Sequence, residues 1–132
     1  MNRLKGQITE INTFEDLTLL NIDIANTIVK SIIIDDSKES QFSVGKTVDV
    51  LFKETELIIS KNKTDLISLQ NQFECTITTL NIGKLLSQIS LDFMGLNLCS
   101  IITSHSVNKL NLVAGDKVTA MVKTNEIMVS VC

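Results

Sequence analysis

The chain has no proline, no tryptophan and no tyrosine, one histidine and only five glycines in 132 residues. Such scarcity of Pro and Gly excludes a long flexible linker or a low-complexity region. Aromatic residues reach only 4%, all Phe, so a core must be built mainly from Ile, Leu and Val. Those residues favour strands where they alternate with polar ones. The three cysteines, Cys75, Cys99 and Cys132, are odd in number and lack metal-ligand spacing. They read as reduced thiols of a cytoplasmic protein, and no direct protein metal ligands are expected. No apolar run approaches the ~18 residues of a membrane span, and the opening Met1–Glu10 has no apolar signal core. A formal net charge of −3 leaves no footprint for nucleic acid or an anionic membrane surface. It still allows a local anion site, which needs only a few donors. What is present, 44% hydrophobic and 20% charged residues, is globular.

An internal repeat organises the chain. At an offset of 69, Thr9 meets Thr78, Asn12 meets Asn81, Asp23 meets Asp92, and Ser31-Ile32-Ile33 meets Ser100-Ile101-Ile102. Ser37 meets Ser106, and one inserted residue then raises the offset to 70, aligning Gly45 with Gly115, Val48 with Val118 and Lys53 with Lys123. The expected domains are 1–62 and 63–132, each near the size at which a lone core is marginal. Packing of the two copies, or a homo-oligomer, relieves that problem. Residues 62–69 form the crossover, whose end, apolar at Leu66, Ile67 and Leu69, reads as the start of a strand.

Each copy reads as five strands and one short helix. In the second, alternation over 73–79, extended stretches at 86–93 and 96–103, and a break at 104–112 are followed by 117–123 and 126–131. The last two read as a hairpin around Thr124-Asn125. The first copy repeats the order with strands near 4–12, 17–24, 28–34, 47–53 and 56–60. The fold class is all-β: two tandem OB-like five-stranded small barrels, each with one short helix.

These elements resemble the molybdate-binding Mop domain, also called the TOBE domain. Ser68-Leu69-Gln70-Asn71-Gln72-Phe73 is similar to the family's Ser-Ala-Arg-Asn-Gln-Leu opening. Ile102-Thr103-Ser104-His105-Ser106 is similar to its Ile-Thr-x-x-Ser element. Leu112-Val113-Ala114-Gly115-Asp116-Lys117-Val118 and Val122-Lys123-Thr124 are similar to its closing elements. The first copy carries Asn2, Leu4, Lys5 and Gly6, then Val44-Gly45 and Lys53. The resemblance implies a tandem, di-Mop protein whose bound ligand is molybdate or tungstate. With neither a winged helix nor a Walker A loop, a free cytoplasmic storage, buffering or homeostasis protein fits best. The alternatives are an oxyanion-sensing regulatory module acting through a protein partner, and an interaction scaffold that binds no anion.

A tetrahedral dianion is held by hydrogen-bond donors and a cation, and carboxylates in contact with it repel it. The expected oxyanion-binding residues are Lys123, Thr124, Ser106 and Thr103, to which the resemblance alone adds Asn71 and Ser68. Ser106 has an equal claim as the cap of a helix starting at Val107. Lys53, Ser37, Asn2 and Arg3 are the first-copy candidates. That copy departs from the pattern: Ile34 and Asp35 stand where the second has Thr103 and Ser104, and Glu54 replaces Thr124. In the second copy Gln70 replaces the family's arginine. A mixed site between domains or subunits of a dimer or trimer is therefore expected. His105 reads as an exposed turn residue, and Asp92, Ser100 and His105 form no recognisable triad, so an enzyme is not expected.

Overall fold

The structure is a computed structural model that describes residues 1–34 and 41–132. The first half contributes β1 (Asn2–Phe14), β2 (Leu17–Ile24), β3 (Thr27–Ile34), β4 (Thr47–Phe52) and β5 (Ile58–Ser60). The second contributes β6 (Asn71–Ile82), β7 (Leu86–Phe93), β8 (Leu96–Thr103), α1 (Ser104–Leu110), β9 (Lys117–Val122) and β10 (Met128–Val131). Alternation drives these strands: β2 buries Leu20, Ile22 and Ile24, while β7 buries Ile89, Leu91 and Phe93. Residues 35–40, which include Ser37 and the place of the first half's short helix, lie outside the described residues.

The repeat extends to irregular features, where chance agreement is least expected. A bulge interrupts β1 at Ile8/Glu10 and β6 at Ile77/Thr79. At each, a threonine hydroxyl donates to a carbonyl across the hairpin, Thr9 to Asn21 and Thr78 to Ser90. Both following hairpins turn on two positive-φ residues, Ala25-Asn26 and Met94-Gly95, the backbone that suits the twist of paired strands. Gly45 and Gly115, at φ 93° and 94°, donate to the carbonyls of Ile8 and Ile77 at 2.8 Å.

The two halves exchange their last strands. The first sheet runs β10-β4-β1-β2-β3 and the second β5-β9-β6-β7-β8. The expected hairpin of 117–123 with 126–131 therefore does not form. Thr124–Glu126 is a 3-10 turn that sends β10 away from β9 and onto β4, where Val129 faces Val50. Symmetrically, Glu54–Glu56 sends β5 onto β9, where Ile59 faces Ala120. Sequence alternation reports strands but not which edge they join. Ile59 and Ile127 are buried by these exchanges. The crossover over 62–70 contains no strand, and its Leu66 is almost fully exposed.

One continuous core runs through both halves. Phe52 of β4 stacks on Phe73 of β6 at 5.9 Å, and Phe73 meets Phe93 edge-on at 5.0 Å. Three of the five Phe residues thus bridge the seam, which a lone copy could not bury. Gly6 sits where a Cβ would lie 2.6 Å from Ile22 and 2.8 Å from the Asp23 carbonyl. The second half accommodates Cys75 at that place.

Candidate functional site: the two inter-half seams

Polar groups at the seams follow the same pseudo-symmetry. Asn71, at the start of β6, donates to the Lys30 carbonyl at 2.8 Å and accepts from the Lys30 amide at 2.7 Å. Asn2, at the start of β1, does the same with Cys99 at 2.9 and 2.8 Å. Buried Ser31 and Ser100 donate to the Ile127 and Leu57 carbonyls, the residues that close the opposite half's 3-10 turn. A buried hydroxyl or amide without its partner costs about 1–3 kcal/mol, so these bonds fix where each turn docks. Both asparagines are thereby engaged by backbone, with Asn71 fully buried.

Each 3-10 turn begins at an exposed lysine in extended conformation. Lys53 has φ −74° and ψ 149°, and Lys123 has φ −73° and ψ 146°. The Lys53 and Lys123 carbonyls accept from the Glu56 and Glu126 amides at 3.0 Å. In the first half Glu54 follows the lysine and pairs with the Met1 ammonium, which holds its carboxyl below the usual carboxylate range. In the second half Thr124 follows, and its hydroxyl has no hydrogen-bond partner among the described residues. The Glu56 carboxylate, as acceptor for the protonated form of Glu126 and as a like charge, together with desolvation raises the Glu126 carboxyl above the usual range, Lys123 opposing.

The candidates divide between the seams. Asn71 faces Val122 in register, next to Lys123, and the turn carrying Thr124 packs on β3 of the first half. Ser68 is exposed in the adjacent crossover. Thr103 and Ser106 lie together at the end of β8, which packs against the Glu54–Glu56 turn. The Thr103 hydroxyl accepts from the Ser106 amide at 3.2 Å and donates to the Ser106 hydroxyl at 2.9 Å. Thr103 is therefore the helix cap, and α1 starts at Ser104 rather than Val107, with Ser106 in its first turn. Arg3 is exposed and pairs with Asp49 at 3.4 Å. His105 is exposed on α1. Among the described residues no group of three His, Cys, Asp or Glu is placed to hold a metal ion, and no helix is long and apolar enough to cross a membrane.

Two open clefts flank the seams. One, of about 600 Å³, includes Arg3, Thr79, Ser90 and Asn97. The other, of about 450 Å³, lies against the crossover and includes Lys30, Lys63, Asp65, Gln70 and Gln72. Lys30 and Lys63 were not among the expected residues. Lys30 meets Cys99 in the repeat and Lys63 lies in the crossover, so neither lysine is repeated and only the folded chain brings them to Gln70.

The TOBE domain matches residues 67–129. No curated protein matches the chain. Among solved structures, the cytoplasmic molybdate-binding protein ModG, with molybdate bound, is 20% identical and has a TM-score of 0.92 over 99% of this chain and 96% of its own. A molybdate-binding protein from Sporomusa ovata is 44% identical over 43% of this chain and 85% of its own, with a TM-score of 0.43. The whole chain thus has the tandem OB-like fold of the first structure. Through residues 67–129, the chain belongs to the TOBE domain family.

Proposed function

We propose that this chain binds molybdate or tungstate in the cytoplasm, for storage, buffering or homeostasis, without catalysis and without direct protein–metal ligation. The observation that carries this reading is the Lys123-Thr124 corner. It lies inside the TOBE match, and in it an exposed lysine is followed by a threonine whose hydroxyl has no partner among the described residues. Charge-assisted bonds of this kind are about twice as strong as neutral ones. The Thr103 hydroxyl donates to Ser106 and leaves the Ser106 hydroxyl proton free to donate, and Lys53 is the cation of the turn packed against the strand that ends at Thr103. The relatives' molybdate binding supports the choice of anion. Domains 1–62 and 63–132 act as one unit in this reading, because each lends a strand to the other's sheet.

The binding unit is a homo-oligomer, dimer or trimer, in which a second copy completes each site. Exposed Phe14, Leu17 and Ile34 in the first half and Ile82, Leu85 and Leu86 in the second provide apolar surface for that association. Isothermal titration with molybdate, with sulfate as the matched anion, tests the reading. Tight molybdate binding that excess sulfate does not displace is expected. Absence of binding to folded protein overturns it and leaves the scaffold alternative.

A further inference from the structure

We propose, resting on the homo-oligomer reading, that the β1-β2 and β6-β7 hairpin tips are the two sides of one head-to-tail contact, in which Leu85 of one copy enters an apolar recess of the next. The tips are equivalent in the repeat but differ in shape. In the first half, Asn12, Leu19 and Ile32 face one another across β1, β2 and β3, with Phe14, Leu17 and Ile34 in the row beyond. Phe14 and Ile34 are each 75% exposed, and Phe14, Leu17, Leu19 and Ile32 line an apolar recess of about 280 Å³. Single exposed apolar residues are ordinary, whereas a contiguous patch of this kind marks a contact surface.

The second half has a protrusion instead. Gly83 stands in the place of Phe14, and a Cβ there would collide with the Leu86 carbonyl. The Gly83 amide donates to the Leu86 carbonyl at 3.0 Å, and the Ser104 amide donates to the Leu85 carbonyl at 2.8 Å. The Ser104 hydroxyl donates to the Gly83 carbonyl at 2.7 Å, and buried Ser87 bonds that hydroxyl at 2.7 Å. Leu85, 78% exposed, therefore stands on a loop already fixed before contact, which lowers the ordering cost of docking. Charge selects the pairing. Exposed Glu15 and Asp16 edge the recess, exposed Lys84 adjoins Leu85, and none of the three has an ion-pair partner among the described residues. Two recesses face to face would oppose their acids, and two loops would oppose Lys84 with itself. Recess against loop joins unlike charges as well as complementary shapes. Such a contact is heterologous: each copy uses both tips once, and the chain of contacts closes as a ring.

Light scattering of the full chain at about 0.1 mM tests the contact, with the unaltered chain, Phe14→Asp, Leu85→Asp and an equimolar mixture of the two variants. The unaltered chain should have a multiple of the 14.6 kDa of one copy. Each variant alone should fall to the single-chain mass, because every recess-to-loop contact then includes one spoiled tip. The mixture should rise to twice that mass and stop there, since one intact recess meets one intact loop. Misfolded variants would not recover in this way. Either variant keeping the full mass alone would mean that like tips pair, and a mixture left at the single-chain mass would mean that recess and loop do not meet. Both results overturn the proposal and leave the homo-oligomer reading in place. A single-chain mass for the unaltered protein overturns both.

Discussion

The two 3-10 turns have nearly one backbone and two chemistries. Both start at an extended lysine, both close on a carbonyl held by a buried serine of the other half, and both send a strand across the seam. They differ at the next position. Glu54 puts a carboxylate beside Lys53, and Thr124 puts a hydroxyl beside Lys123. The frame is maintained by groups that face inward, whereas outward groups are free to diverge. The repeat therefore keeps its architecture in both halves while only the second has a hydroxyl in place of a carboxylate after the lysine.

The equivalence of the frame is the easiest part to break. Asn71→Ala and Asn2→Ala each leave a backbone amide and carbonyl without partners at a buried seam. Each should cost about 2–4 kcal/mol in urea unfolding. A difference of more than about 1 kcal/mol between them means that the halves do not share the load equally. The corners should behave oppositely. Lys123→Ala should weaken molybdate about thirtyfold by titration calorimetry, roughly 2 kcal/mol, while Lys53→Ala should change it less than about threefold. Equal losses would show that Glu54 does not silence the first corner. The converse substitution, Glu54→Thr, removes the carboxylate and restores a donor. It should raise the number of molybdate ions bound per chain, with an affinity change at the new corner of roughly fivefold.

Much of this arrangement was legible before folding was considered. The offset of 69–70 located both halves, and alternation located the strands to within a few residues, because buried and exposed positions alternate along a strand. Strand exchange was not legible: Ile58–Ser60 and Met128–Val131 carry the same pattern whichever sheet they join. At the site, the motif singles out Lys123 and Thr124 and also the Thr103-Ser106 pair. The motif did not say that the two pairs sit on opposite seams, which follows from each turn crossing to the other half. Asn71 was singled out only through the resemblance, and its amide is engaged by the Lys30 backbone. Lys30 and Lys63 carried no signal, since a surface lysine looks alike whether it lines a cleft or faces open solvent.

The smallest effect separates the corners by the sign of their pH dependence. Glu126 is raised, by its hydrogen bond to Glu56, by desolvation and by the Glu56 charge, with Lys123 opposing. A raised carboxyl binds its proton more readily folded than unfolded, so its favourable contribution is complete below the ordinary carboxylate range. That contribution is lost as pH rises through the raised value. Glu54 is lowered by the Met1 ammonium; its contribution is present above the ordinary range and is lost as pH falls through the lowered value. Glu126→Gln should therefore stabilise the chain near neutral pH, by at most about 0.5 kcal/mol because solvent screens both carboxylates. The gain should vanish at a pH below the ordinary carboxylate value. Glu54→Gln should do the reverse, destabilising near neutral pH and becoming silent in acid. Thermal melts of both variants across the acidic range check this, and curves of the same sign would mean that the two corners are electrostatically alike.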